Sequence, residues 1–289
     1  MELYSLEVFL TVVTERSFSR AAQKLYRTQP AISLALQRLE QEVGEKLIDR
    51  GPKDFTLTDA GRTVVDYARR FMNLEQELQN SLTELRDKSS GRLTIGANES
   101  ATLYLLRHIE RYRELYPGVK VTIRRSQSSL IPNEILDGNL EMGVISYDPG
   151  DERIETRKIF SDSLVFVVSP KHRLAHRRTV AISELGGETF VAHNVVSPYR
   201  ERVIRLFREQ KVPLRIDVEM PTIETIRKLV QNDLGVAFLP RMCVEQEIEH
   251  KLLREVHVKE MQWNRNIFLV YPARRVVSHA ARAFLELVG

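Results

Sequence analysis

The sequence predicts an α/β protein with a separate all-α, winged N-terminal unit, and three observations predict it. Residues 18–40 read as two short helices joined by a tight turn. Residues 62–88 contain neither Gly nor Pro and carry apolar side chains at three- and four-residue steps. The roughly 200 residues beyond them alternate β-rich runs with helical stretches, which argues for parallel or mixed sheets flanked by helices.

The first helix is expected over Leu3 to Thr14, where Leu3, Leu6, Leu10 and Val13 repeat on one face. Ser17 suits the N-cap of a second helix, and Ala21, Ala22 and Leu25 can face its neighbours. A third helix starts near Thr28. Pro30 is tolerated in its first turn, where the missing N–H has no intrahelical partner. Ile32, Leu36, Leu39 and Val43 form its core stripe, and Gly44 ends it as a C-cap. Leu47–Arg50 and Phe55–Leu57 flank the turn Gly51-Pro-Lys-Asp54, which reads as a small hairpin or wing.

Thr58 can cap the long helix, and Asp59 suits its first turn. Its stripe is Val64, Ala68, Phe71, Leu74, Leu78, Leu82 and Leu85. Such a stripe on a lone helix has to be buried, and a second copy of the chain is the expected partner. Ser89-Ser90-Gly91 reads as a short hinge. Beyond it, strands are expected at 92–96, 119–125, 142–146, 164–169, 189–192, 214–218, 236–239 and 267–271. Helices are expected at 101–115, 132–137, 199–210, 222–232 and 278–288. This many β-α units suggests two sheets with a cleft between them.

At 289 residues the chain is long enough for two or more domains. No apolar run approaches the roughly 20 residues of a membrane span, and the N-terminus does not read as a signal peptide. The single cysteine, Cys243, excludes an internal disulfide framework and suits a reducing cytoplasm. Net charge is +4, but acids match bases in the first sixty residues. Nucleic-acid binding there must rest on the placement of charge.

The helix pair at 18–40 has the layout of a helix-turn-helix, in which the second helix reads base edges. Thr28, Gln29, Pro30, Ser33 and Gln37 are spaced to face a groove. Gln pairs with adenine edges, and Ser and Thr bond to either base type. Arg38 can reach a phosphate or a guanine. Ser19, Arg20, Lys24, Arg27, Arg50 and Lys53 would hold the backbone. In the C-terminal part, three polar turns follow strands and open helices: Asn98–Thr102, Ser126–Ser129 and His193–Ser197. Free N–H groups and the helix dipole make such turns suitable for anions.

The chain resembles the LysR-type transcriptional regulators of bacteria. The carrying segments are Phe9-Leu-Thr-Val-Val13, Ser17-Phe-Ser-Arg-Ala-Ala-Gln-Lys-Leu25, Thr28-Gln-Pro-Ala-Ile-Ser33, Gly44, Arg50 and Leu57-Thr-Asp-Ala-Gly61. Looser matches at Gly91–Ala97, Leu136–Leu140 and Leu234–Pro240 extend it across the chain. The resemblance implies a winged helix-turn-helix over 1–58 and a linker helix over 59–88 that pairs two subunits. It also implies a two-lobed α/β effector domain over 89–289, resembling type 2 periplasmic binding proteins, with two crossing strands. Lobe one would be 90–161 plus 267–289, and lobe two 162–266. The implied partners are inverted-repeat promoter DNA, a second copy or a dimer of dimers, and a small effector for which the polar turns favour an anion. RNA polymerase would join them if the protein activates. By the same resemblance Asn98, Ser100, Thr102 and Ser128 line the lobe-one wall of the cleft. His193 and Asn194 line lobe two, with Thr222 near the opposite helix start.

Two other classes fit the two-lobed pattern, a ligand receptor and an enzyme. The helix-turn-helix counts against the first. No nucleophile–base pair supports the second, and no catalytic residue or cofactor is expected. His172 and His176 stand four apart without a third ligand, so no metal site is expected.

Overall fold

The computed structural model describes residues 1–50, 55–86, 90–195, 197–261, 263–274 and 277–288. Helices α1 (Leu3–Glu15), α2 (Phe18–Lys24) and α3 (Gln29–Val43) pack around Leu6, Phe9, Val12, Ala21, Ile32, Leu36 and Leu39. Ser17 accepts the Arg20 N–H at 3.3 Å and so starts α2. Gly44 ends α3 in the left-handed conformation, at φ +80°, where a side chain would be strained. Strands β1 (Ile48–Arg50) and β2 (Phe55–Leu57) pair antiparallel as the wing.

Helix α4 runs from Asp59 to Arg86, 28 residues and about 42 Å at 1.5 Å per residue. The Thr58 hydroxyl caps it, accepting the Gly61 N–H at 2.9 Å and donating to the Lys46 carbonyl at 2.6 Å. The start at Asp59 is the one expected from the Thr58 cap, and Gly61 lies in the first turn. A Cβ there would fall 2.0 Å from the Leu47 carbonyl oxygen, so only glycine lets the helix approach the wing. The seven-residue stripe divides. Ala68 is buried in the N-terminal core and Val64 packs against it, whereas Phe71, Leu74, Leu78 and Leu82 are about half exposed. The side chain of Leu85 lies outside the described residues.

The remaining chain forms β3 (Ser90–Ala97), α5 (Glu99–Leu115), β4 (Gly118–Arg125), α6 (Ile131–Leu136), β5 (Met142–Ile145) and β6 (Ile154–Val168). These are followed by β7 (Thr179–Val180), β8 (Thr189–His193), α7 (Pro198–Glu209), β9 (Arg215–Met220), α8 (Ile223–Gln231) and β10 (Ala237–Pro240). The last elements are α9 (Glu245–Glu249), β11 (Arg254–Val258), β12 (Asn264–Pro272) and α10 (His279–Val288). Strand order is β4-β3-β5-β12-β6-β11-β7, with β10 also on β6 and a separate parallel pair β8-β9.

The two expected sheets are therefore one continuous sheet and a two-stranded companion. Strands β6 and β12 pair antiparallel over the whole of β12 and run from one core to the other. Lobe one packs on Leu93, Ile95, Leu105, Tyr112, Val144, Leu269 and Phe284. In lobe two, alternate residues of β6 serve two clusters: Phe166 and Val168 on one face, Val165 and Val167 on the other. The expected hinge is corrected in part. Ser90 and Gly91 belong to β3 and pair with Gly118 and Val119; Ser89 lies outside the described residues. Strand β6 begins ten residues before the expected Leu164, and β7, β11 and α9 were not expected. Among the described residues no helix is long and apolar enough to cross a membrane.

Candidate DNA interface and effector cleft

The buried face of α3 (Ile32, Leu36, Leu39) fixes the direction of its other face. On that outer side Thr28, Gln29, Pro30, Gln37 and Arg38 are exposed, and Gln29 donates to the half-buried Ser33 hydroxyl at 3.0 Å. Ser19, Arg20, Lys24 and Arg27 are exposed along α2 and the turn. Two of these cations are held locally. Arg20 donates to the Glu15 carbonyl, and Lys24 Nζ lies 2.6 Å from the Glu15 carboxylate. The Lys24 hydrogen bond keeps the Glu15 carboxyl below its ordinary pKa. The Arg50 side chain and Lys53 lie outside the described residues.

Sequence reading missed two residues here. Tyr26 is 92% exposed in the α2–α3 turn and holds a positive φ of 53°. Glu40 is buried at the C-terminal end of α3, accepting the Leu47 N–H at 2.9 Å and Lys46 Nζ at 2.7 Å. Desolvation by burial pushes its pKa up. The Lys46 and Leu47 hydrogen bonds and the Lys46 charge outweigh that, leaving the carboxyl below its ordinary value. Glu40 thereby ties the recognition helix to the wing.

A cavity of about 770 Å³ lies between the lobes. Four of the seven expected effector residues line it: Asn98, Ser100, Ser128 and His193. Asn98 Oδ1 caps α5, accepting the Ala101 N–H at 2.9 Å and the Ser100 hydroxyl at 3.0 Å. Its amide donates to the Ser128 hydroxyl at 2.8 Å. Three expected residues are not brought to the cavity. Thr102 lies one turn inside α5 and donates to the Asn98 carbonyl at 2.9 Å. Thr222 caps α8 by accepting the Thr225 N–H at 3.3 Å. Asn194 extends the β8–β9 pairing through its own N–H to the Met220 carbonyl, and its side chain is exposed.

The sequence did not point to Arg265. It is 4% exposed on β12, with Asp162 opposite it on β6 at 6%. Arg265 lies 3.2 Å from the Asp162 carboxylate and donates to the Ser100 hydroxyl at 2.6 Å. The mouth is bridged directly. Glu99 Oε1 accepts the Ile223 N–H of α8 at 2.8 Å. Its buried Oε2 lies 3.4 Å from His193 Nε2 without a hydrogen bond. Arg125 donates to the Pro221 carbonyl at 3.3 Å, and the Tyr199 hydroxyl donates to the Ser146 carbonyl at 3.3 Å. Cys243 is 2% exposed, and burial pushes its thiol up to about 12. Among the described residues no cluster of three potential metal ligands occurs; His172 instead pairs with Glu188 at 3.1 Å.

Comparison with known proteins agrees with this architecture. The family model for the bacterial regulatory helix-turn-helix protein, lysR family, matches residues 3–62. That for the LysR substrate binding domain matches residues 86–289. The RuBisCO operon transcriptional regulator of Allochromatium vinosum is 29% identical, over 100% of this chain and 95% of its own length. Full-length CbnR, solved in complex with its target DNA, is similar with a TM-score of 0.76 at 18% identity, over 100% of this chain and 99% of that one. The regulatory domain of CcmR from Synechocystis PCC6803, solved with 2-PG, is similar with a TM-score of 0.62 at 20% identity, over 68% of this chain and 95% of that one. The two family models tile the chain almost end to end, and the chain belongs to the LysR family of bacterial transcriptional regulators.

Proposed function

We propose that the protein binds inverted-repeat promoter DNA as a dimer or a dimer of dimers, through α3 and the wing, and answers a small effector in the interlobe cleft. The observation that carries this reading is the outer face of α3. Thr28, Gln29, Gln37 and Arg38 are exposed there, on a helix whose other face is locked in a core. The half-exposed Phe71, Leu74, Leu78 and Leu82 of α4 support pairing of two copies through that helix. The working partition is 1–58 for DNA, 59–88 for pairing and 89–289 for the effector. The Ser128 hydroxyl, which accepts from the Asn98 amide and keeps its own proton, and the α5 N-terminus support a negatively charged group on the effector. On this reading the protein works in the cytoplasm, contacts RNA polymerase if it activates, and regulates without catalysing a reaction.

The test is a footprint of purified protein on DNA upstream of its own gene and its neighbours, at several salt concentrations. A dyad-symmetric protected site that weakens steeply with salt is expected. Protection nowhere by a folded dimer would refute DNA regulation. An effector response undiminished by replacing both Ser100 and Ser128 with Ala would refute the cleft assignment.

A further inference from the structure

The cavity is chemically lopsided. Its lobe-one end carries Asn98, Ser100 and Ser128. Its lobe-two end, between α7 and strands β8 to β10, is mostly apolar, with His193, Ser197, Tyr199 and Arg200 as its polar members. Leu164, Ile204, Leu214, Ile216 and Phe238 are each only partly buried, and all line the cavity. Phe238 stacks on Phe190, with ring centroids 5.5 Å apart and planes 12° from parallel. Phe190 is buried, so Phe238 is the ring of the pair with free surface.

Charge sets the second constraint. Three guanidinium groups border the cavity, and each already faces an acid of the chain. Arg265 faces Asp162, Arg200 faces Glu219 and Arg125 faces Glu99. Three positive charges against three negative ones leave little surplus for a polyanion. One carboxylate can still be held by the Ser128 hydroxyl and the first N–H groups of α5. A volume of about 770 Å³ lies within the range of roughly 300–1,000 Å³ that takes a drug-sized molecule.

We infer that the effector is an amphipathic monocarboxylic acid, with its carboxylate at Ser128 and the first turn of α5 and an aromatic or branched apolar body in the lobe-two chamber. This rests on the reading of the cleft as the effector site.

The experiment is calorimetric titration of the full-length protein with straight-chain monocarboxylates from acetate to octanoate. Phenylacetate and 3-phenylpropionate are included, with malonate and inorganic phosphate as hydrophilic dianions. Affinity should tighten roughly fourfold per added methylene until the chamber is filled, and both dianions should bind more weakly than octanoate. The variant Ile204→Trp, which fills the chamber, should reduce octanoate to the affinity of the short acids and leave those unchanged. Ser128→Ala should weaken every acid by a similar factor. Affinity that is flat with length, or a preference for malonate or phosphate, overturns the amphipathic class. If Ser128→Ala still weakens those ligands, the cleft reading stands. Length-dependent binding untouched by either variant places the acids elsewhere and overturns both. Binding by no monocarboxylate overturns the inference directly, and the wild-type series gives that answer without any variant.

Discussion

Replacing Arg265 with Ala should be among the most damaging single changes in the effector region. The guanidinium stands where β6 and β12 pair between the lobes, with side-chain exposures of 5% for Arg265 and 2% for Asp162. Removal leaves the Asp162 carboxylate buried with the Met242 N–H, at 3.2 Å, as its remaining hydrogen-bond donor. Breaking a buried pair in this way costs about 3–5 kcal/mol. At roughly 2–4 °C per kcal/mol for a domain of this size, Tm should fall by about 6–20 °C. The assay is urea and thermal unfolding followed by fluorescence of Trp263, the single tryptophan, which packs in the lobe-two core. The double replacement Arg265→Met with Asp162→Leu removes both charges together and should cost far less than the single change. A single-mutant cost below about 1 kcal/mol, or a double mutant as unstable as the single, would refute the reasoning.

Three further outcomes are expected. Glu40→Gln keeps an acceptor for the Leu47 N–H and loses the Lys46 ion pair, so the N-terminal unit should lose about 1–2 kcal/mol at pH 7. Because the folded carboxyl is depressed below 4.5, its contribution is complete above that pH and lost as pH falls through the lower folded value. Acid unfolding monitored by circular dichroism should therefore be shallower below about pH 4.5 in the variant, and an unchanged acid limb would count against the assignment. Leu78→Arg places a charge in the exposed α4 stripe and should convert the proposed dimer to monomer in sedimentation velocity; a dimer that survives it would move the pairing surface off α4. Cys243 should resist Ellman's reagent in the folded protein and react fully in urea, since burial both blocks access and raises the thiol to about 12. Rapid native labelling would contradict its placement.

The N-terminal unit was legible because its signals are local. The Ser17 cap, Pro30 in the first turn of α3, Gly44 after its last turn and the 3.6-residue stripes each act within a few residues, and the structure has all of them. The crossing strand was legible only in its second half. Residues 164–168 are apolar, whereas Glu155, Arg157, Lys158 and Asp162 interrupt the first half, where the strand leaves one core before entering the other. Strand β7 has two residues, too few for any periodicity. Glu40 and Arg265 were invisible for a shared reason. A charged side chain reads as solvated until tertiary packing supplies its partner, here Leu47 and Lys46 for one and Asp162 and Ser100 for the other.

The cleft makes the same point about helix N-termini. In sequence, a polar turn before a helix reads as a vacancy for an anion. In the folded chain the vacancies are largely filled from within. Asn98 caps α5, Ser197 caps α7, and α8 carries both the Thr222 hydroxyl and the Glu99 carboxylate from the opposite lobe. Glu99 gives α8 the charge complement that an external anion would otherwise provide, and it bridges the lobes in doing so. An incoming ligand then gains little from adding negative charge at the mouth. What the chain does not supply for itself is apolar contact with the half-buried Ile204, Leu214, Ile216 and Phe238. On the proposed reading, selectivity in this site follows from the shape and carbon surface of the ligand body, with the Ser128 end fixing its orientation.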